Sequence, residues 1–391
     1  MKMFNVHWWV FWLVLLCGGW PLHGSAVEVD VLMRYRGDPA GRFENMTPRA
    51  TFCAIWPHRC TDDPYFAVLD LPITYQKYNV GNDSDFRNRH YVQMPAGRTV
   101  EVVNETGRSY RIDFSFTDIH QELIFLSNSM WAQGEGGCDH IESVRYNSKI
   151  LFLWKLKQPM APEACYDNIW NIRQTAEVTV KSFGVRFRLN MPRPVGMQQG
   201  IYRGSLDYTI GPGGDFDFGN AVTDLNDTRL TINFELDVQH DLYLEFPAGS
   251  DRAVLEPPGG WMAWLGGRGT PGKLYRDLPL RISTTGPMRV YKRCEYELGD
   301  QCGIRESAGH LVGVDVSLTL PRGLQQSGRP IERLLIPTRQ PAALLIEPVT
   351  TVWRQTGQLH FEIAGSSVPP MLAHPGSHYQ GLVTVVFEAD I

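Results

Sequence analysis

The sequence has few charged residues and no long block of one sign. Asp, Glu, Lys and Arg make up 20% of the 391 residues, and the formal net charge is −5 at pH 7. A basic nucleic-acid-binding protein needs a clear excess of Lys and Arg, so nucleic acid is excluded as a partner. The hydrophobic fraction of 43% excludes a disordered chain, which has too little apolar surface to form a core.

Recognisable catalytic and metal-binding motifs are missing too. The chain contains no Gly-x-Ser-x-Gly, no His-Glu-x-x-His, no Cys-x-x-Cys and no Gly-x-x-x-x-Gly-Lys-Ser/Thr phosphate loop. Asp215 and Asp217 have the spacing of calcium ligands, but a glycine turn leading into an alternating strand explains them better. We therefore expect no metal, no cofactor and no catalytic residue. A glycosidase depends on a carboxylate separation that sequence does not reveal, so a secreted carbohydrate-active enzyme stays open as an alternative.

Only one long apolar run exists, and it lies at the start of the chain. It extends from Phe4 to Trp20, is broken by Pro21, and is followed by the small residues Gly24-Ser25-Ala26. This order predicts a secretory signal peptide over residues 1–26, because the run is short for a membrane span. A lipoprotein site at Cys17 is disfavoured by the bulky Leu16 before it. We expect export through the periplasm.

The cysteines fit an exported protein. Without Cys17 there are six, and an even number favours disulfides in an oxidising compartment. Many connectivities are possible, but the clustering along the chain favours the local pairs Cys53–Cys60, Cys138–Cys165 and Cys294–Cys302. A zinc site is disfavoured because His58 is the only histidine close to the first pair.

Short segments of alternating apolar and polar residues recur along the chain, and 37 Gly and 26 Pro separate them. Examples lie at 27–31, 99–103, 110–116, 185–189, 242–246 and 311–320. A period of two is typical of half-buried strands, and no twelve-residue stretch has a helical period. The pattern predicts an all-β protein built as sandwiches or barrels.

A Tyr-x-Gly motif before an alternating segment occurs twice, at Tyr202 and at Tyr379. The two copies are separated by about half of the chain, which favours two β domains of the same general build over a chance repeat. The predicted division is an N-terminal domain over 27–215, a Gly- and Asp-rich linker over 216–227 and a C-terminal domain over 228–391.

The last strand carries a family resemblance. One face of the alternating C-terminal segment contains six residues, Tyr379, Val383, Val385, Phe387, Ala389 and Ile391. A terminal Tyr-x-Gly-x-Val-Thr-Val-x-Phe-x-Ala strand resembles the C-terminus of bacterial pilins assembled by the chaperone–usher route. Residues 280–287 with Cys294 and Cys302 resemble pilin-type domains, and residues 200–219 resemble the domain junction of two-domain tip adhesins.

The resemblance implies two immunoglobulin-like, pilin-like β-sandwich domains in tandem, the C-terminal one lacking its last strand. The expected partners are a periplasmic chaperone, an outer-membrane usher and the next pilin subunit, which donates a strand along the six-residue face. From its alternation we expect Val27–Val31 to enter a strand of the first domain at once and not to form a donor extension, which predicts a place at the fimbrium tip on the cell surface. The alternative within the family is a pilus initiator that engages the usher without adhesion.

A tip adhesin binds a host or surface receptor, and aromatic and polar side chains suit a carbohydrate. The segment 130–175 and the cluster 87–91 are rich in such residues, although a solvated turn explains the second equally. The candidate ligand-binding residues are Trp131, His140, Arg145, Trp170, Arg173, Arg89 and His90.

Overall fold

The computed structural model describes residues 27–60, 63, 65–125, 132–168, 175–266, 269–374 and 376–389. The predicted signal peptide over residues 1–26 lies outside the described residues. Among the residues within them, no helix combines the length and the apolar character needed to cross a membrane.

The chain is all-β, as its alternation predicts, because short strands account for most of the regular structure. The first fifteen strands are β1 (Val27–Arg36), β2 (Glu44–Asn45), β3 (Phe66–Leu71), β4 (Tyr75–Val80), β5 (Tyr91–Val92), β6 (Arg98–Val103), β7 (Ser109–Phe125), β8 (Gly134–Gly136), β9 (Cys138–Tyr146), β10 (Lys149–Leu156), β11 (Cys165–Asp167), β12 (Thr175–Asn190), β13 (Gly200–Thr209), β14 (Val222–Thr223) and β15 (Arg229–Gln239).

Twelve more strands follow, with two helices of five residues each. The strands are β16 (Leu242–Glu245), β17 (Lys273–Thr284), β18 (Met288–Cys294), β19 (Tyr296–Leu298), β20 (Gln301–Arg305), β21 (Leu311–Thr319), β22 (Leu324–Gln326), β23 (Arg329–Pro330), β24 (Leu334–Leu335), β25 (Leu344–Pro348), β26 (Val352–Ala364) and β27 (Val383–Ala389). The helices are α1 (Trp261–Leu265) and α2 (Val368–Leu372).

The first fifteen strands form a twelve-stranded sheet and a small sheet of β5, β11 and β8. The long strands β7 and β12 pair with each other, and each also pairs with two further strands of the large sheet, one after the other along its length. One half of β12 pairs with β4 and the other with β3, while β7 pairs with β6 and then with β10. Register shifts in β12 and its partner mark the bends between these regions.

The second group of strands forms a sandwich. One sheet has the order β16-β17-β26-β21-β20-β19 with β24 beside β21, and the other has the order β23-β22-β25-β18-β27. Both sheets contribute apolar side chains to one core, for example Ile282 and Leu318 from the first and Val290 and Ile346 from the second. A separate core holds the first fifteen strands together. The prediction of an all-β chain with two β domains is therefore confirmed.

The strand β15 belongs to the first sheet, not to the second domain as the sequence analysis places it. It runs parallel to β1 over ten residue pairs, from Val27 with Leu230 to Arg36 with Gln239, and antiparallel to β13 on its other side. The alternation identified this strand, but alternation does not reveal its partner. The division at 216–227 itself stays a prediction, and the pairing favours a boundary after Gln239.

The three disulfides join Cys53 to Cys60, Cys138 to Cys165 and Cys294 to Cys302, the pairs that the clustering favours. The first closes a loop that packs Phe52 and Trp56 onto the outward face of the large sheet.

A short connection joins the two cores. The Asp241 N–H donates to Thr285 Oγ1 at 2.9 Å, and the Thr285 N–H donates back to the Asp241 carbonyl at 3.1 Å. The His240 imidazole lies 2.7 Å through Nε2 from the Met197 carbonyl oxygen. The connection is thus hydrogen-bonded to both sides.

Candidate functional site

Among the described strands, the C-terminal strand β27 has a partner on one side only. It pairs antiparallel with β18, from Val383 with Cys294 to Ala389 with Met288, and it ends the five-stranded sheet. In the part of the chain that the structure describes, no strand pairs with its other edge. The N–H and C=O groups on that edge are therefore free to pair with an added strand.

The inward face of β27 is only partly covered. Val383, Val385 and Phe387 pack against the second core, yet each remains half-buried. Thr384 between them is exposed. The alternation places these three apolar side chains on one face, as the sequence predicts. The sandwich covers that face only partly, next to the unpaired edge of β27.

A cavity of about 920 Å³ lies next to the start of β27. It reaches the core side chains Leu274, Leu278 and Ile363, and its walls include the segments 250–255 and 376–383. The rim carries α1 and α2, through Trp261, Trp264, Met371 and Leu372. The opening thus leads from solvent directly into the hydrophobic core, which is unusual for a completed sandwich.

The segment before β27 is anchored to a neighbouring turn. The Tyr379 hydroxyl lies 2.6 Å from His310 Nδ1, and the His310 ring stacks on His374 with centroids 5.1 Å apart. The Gln380 and Arg305 backbones exchange hydrogen bonds of 2.9 and 3.1 Å. These contacts fix the point at which the edge strand begins.

An edge strand beside an open apolar groove can accept an extended peptide. Backbone hydrogen bonds along the edge provide affinity, and alternate side chains entering the groove provide selectivity. Of the predicted contact residues, Tyr379, Val383, Val385 and Phe387 pack against the second core, Ala389 ends the strand, and Ile391 lies outside the described residues. Sequence reasoning missed Leu274, Leu278 and Ile363, because alternation in β17 and β26 marks them as core without showing an opening.

Four of the seven predicted ligand-binding residues lie within the described part of the chain. Trp131, Trp170 and Arg173 lie outside the described residues. His140 and Arg145 both lie on β9 opposite the buried residues Trp154 and Ile150, so they face the same side as that core.

The other two candidates are buried. His90 is 1% exposed and bonds through Nε2 to Gln121 Oε1 at 2.7 Å, and burial lowers its pKa to about 4. The Arg89 guanidinium donates from Nε to the Asp83 carbonyl at 2.8 Å and lies over the Phe86 ring. In this structure His90 is a core residue, and Arg89 holds the loop that contains Asp83 and Phe86. The ligand-binding role of the set remains a prediction.

The described residues contain no group of three or more His, Cys, Asp or Glu side chains placed to hold a metal ion. The free edge of β27 offers backbone groups beside the apolar side chains Val383, Val385 and Phe387.

Two solved structures are similar to the chain along most of its length. One comes from work on a chaperone–tip adhesin complex in CFA/I fimbriae biogenesis; it is 10% identical, covers 93% of this chain and 96% of that chain, and has a TM-score of 0.28. The other is a chaperone–tip adhesion subunit pre-assembly complex from the archaic chaperone–usher Csu pili of Acinetobacter baumannii, with 10% identity, coverage of 93% and 98%, and a TM-score of 0.22. Because both TM-scores are low, the proposals below depend on the residues of this chain alone. No family model and no curated protein matches the chain.

Proposed function

We propose that this protein is a tip subunit of a chaperone–usher pilus, exported to the cell surface, whose C-terminal domain accepts a strand from a partner. The observation that carries the proposal is the free edge of β27 beside the open core. Val383, Val385 and Phe387 are half-buried there, and the adjoining cavity of about 920 Å³ reaches Leu274 and Ile363.

Physical chemistry explains why such a domain needs a partner. An apolar edge strand with free backbone groups is a site of aggregation, so a periplasmic chaperone would have to cover it before assembly. In the assembled pilus, an extension of the next subunit would occupy the same groove, and the usher would mediate the exchange. The N-terminal domain, which has its own core, would be left free to bind a host or surface receptor.

The proposal is tested by exporting the full chain to a bacterial periplasm with and without the chaperone encoded beside it. We expect soluble protein only with the chaperone, as a one-to-one complex. A matched pair of variants locates the contact. Val385→Asp places a charge in the groove and should abolish the complex, whereas Thr384→Asp places the same charge on the exposed face and should preserve it.

Two results would contradict the proposal. One is a stable, soluble monomer formed in full yield without any chaperone, since a self-sufficient domain has no open groove to fill. The other is equal recovery of the complex for both aspartate variants, because the chaperone would then bind elsewhere on the chain.

A further inference from the structure

A second cavity, of about 730 Å³, lies in the first domain on the outward face of the large sheet. Its floor is formed by β7, β10 and β12. Arg186 pairs with Asp118 across the β12–β7 ladder, and Asp118 pairs with Lys155 across the next ladder. Directly paired residues share a face, so the three side chains form one row across three strands. We call this cavity the basic groove.

The basic groove contains more positive than negative charge. Its lining includes the cations Arg59, Lys155, Arg186 and Arg188 and the carboxylates Asp113 and Asp118. Arg59 is neutralised by Glu142 at 3.0 Å. Within the described part of the chain, Lys155, Arg186 and Arg188 form no ion pair within 4.0 Å, and Arg186 Nε is buried without a hydrogen-bond partner.

Asp118 lies between Arg186 and Lys155 in this row but, among the described residues, forms no ion pair with them within 4.0 Å. It is 7% exposed, and burial raises the pKa of its carboxyl above the usual range despite the nearby Arg186, Lys155 and Arg59. The Thr117 hydroxyl donates to Asp118 Oδ2 at 2.7 Å and occupies one of its acceptor sites. The guanidinium groups of Arg186 and Arg188 lie 5.6 and 5.4 Å from the Phe66 ring centroid. The aromatic ring contacts both cations but does not neutralise them.

We propose that the basic groove binds an acidic sugar, whose carboxylate or sulfate group is held by Arg186 with Lys155 and Arg188 beside it. The inference rests on the proposed adhesive role of the first domain and names its class of ligand. A planar guanidinium with free N–H donors matches an oxyanion, and charge-assisted hydrogen bonds are about twice as strong as neutral ones.

The geometry favours a sugar over an acidic peptide. An extended peptide gains affinity by pairing with a free strand edge, but β7 and β12 have partners on both sides here. The walls instead offer Ser115, Thr117 and Asn190 to sugar hydroxyls, and Met160 and Pro159 to the apolar C–H face of a ring. The volume is within the range of pockets that enclose small ligands.

The test compares three ligands that share one disaccharide: lactose, 3′-sialyllactose and 3′-sulfolactose. Binding to the full-length chain is measured by titration calorimetry or ligand-observed NMR. We expect at least one acidic ligand to bind tenfold or more tightly than lactose, roughly the effect of one charge-assisted hydrogen bond. Raising the salt concentration should weaken that binding but not any lactose binding. The two acidic ligands distinguish a carboxylate from a sulfate.

Variants assign the binding to the basic groove. Arg186→Gln should weaken acidic-ligand binding on the order of tenfold, and Lys155→Gln, at an exposed position, provides a second variant that does not disturb the core. Arg111→Gln is the matched control, since Arg111 is exposed on β7 but does not line the groove. A melting curve for each variant separates unfolding from loss of binding.

The inference is overturned if neither acidic ligand binds better than lactose, or if folded Arg186→Gln and Lys155→Gln bind as well as the unmodified chain. Its failure is distinguishable from failure of the proposed function. The chaperone test reports on β27 alone, so glycan binding can be lost while the chaperone complex forms. The reverse result, acidic-sugar binding by a chain that folds without a chaperone, would leave this inference standing and reject the pilus subunit.

Discussion

The imidazole of His120 stacks on the ring of Phe52, with ring centroids 4.8 Å apart and an interplanar angle of 23°. Phe52 belongs to the loop closed by Cys53–Cys60, and Trp56 of the same loop contacts the histidine edge-on. His120 is 1% exposed, and neither ring nitrogen has a hydrogen-bond partner. The loop therefore covers a histidine that fits its site only in the neutral form.

We expect this histidine to make the fold acid-sensitive. Burial lowers the pKa of His120 to about 4, whereas the unfolded chain binds a proton near the ordinary value of 6.5. Between these values the unfolded state binds more protons, so the free energy of unfolding falls as pH falls from about 6.5 to 4. His120→Phe should flatten that dependence by about 3 kcal/mol, measured by denaturant unfolding at several pH values. The exposed His58→Phe is the control.

Asp167 should have the opposite effect on the free energy of unfolding, at pH values between about 4 and 8. It is 1% exposed with neither carboxyl oxygen hydrogen-bonded, and burial raises its pKa to about 8. The folded protein keeps this proton up to about pH 8, while the unfolded chain loses it near 4, so the free energy of unfolding falls between these values as pH rises. Asp167→Asn should therefore raise the melting temperature at pH 8, and Asp139→Asn, at an exposed position, should not. Equal melting temperatures for Asp167→Asn and the parent chain at pH 8 would refute this.

Lys77 holds three backbone carbonyls together inside the first domain. Its ammonium donates to the carbonyls of Phe218 and Asn220 at 2.7 Å each and to that of Arg87 at 3.0 Å. Lys77→Met keeps the length of the side chain but leaves these oxygens without their donor, which should destabilise the domain by about 3 kcal/mol. Lys181→Met on the exposed face of β12 is the control. Unfolding in denaturant gives the free energy of unfolding for both variants. If Lys77→Met loses no more stability than Lys181→Met, the three carbonyls do not depend on the Lys77 ammonium.

The connection between the two cores leaves no room for a side chain at Gly286. A Cβ there would lie 2.1 Å from Cγ of His240, whose ring is held by the Met197 carbonyl. Gly286→Ala should displace this ring and lower the melting temperature, whereas Gly272→Ala, with open space around its Cβ position, should not. An unchanged melting curve for Gly286→Ala would mean that the His240 ring moves aside without loss of stability, and would contradict the prediction.

Local pattern was sufficient to predict the strands and their inward faces. The alternation of β27 places Val383, Val385 and Phe387 on the core side, as the sequence predicts. These features depend on the two-residue period and on hydrophobicity, which are properties of neighbouring residues.

Long-range partners were not predictable in this way. His90 reads as a polar side chain in a turn, but Gln121, distant in sequence, binds it inside the core. The basic groove was not predictable either, because Arg186, Asp118 and Lys155 become neighbours only when β12, β7 and β10 pair. Strand pairing is set by tertiary packing, which a single sequence does not display.

The parallel ladder between β1 and β15 also sets the order in which the first domain can fold. Val27–Arg36 is synthesised early, yet its partner Arg229–Gln239 follows about two hundred residues later. Until then the earlier strand has no neighbour on that side, and the first domain is unable to close its core. Contacts of such long sequence separation slow folding. A chaperone of the proposed kind would therefore have to protect an unfinished N-terminal half as well as the C-terminal edge.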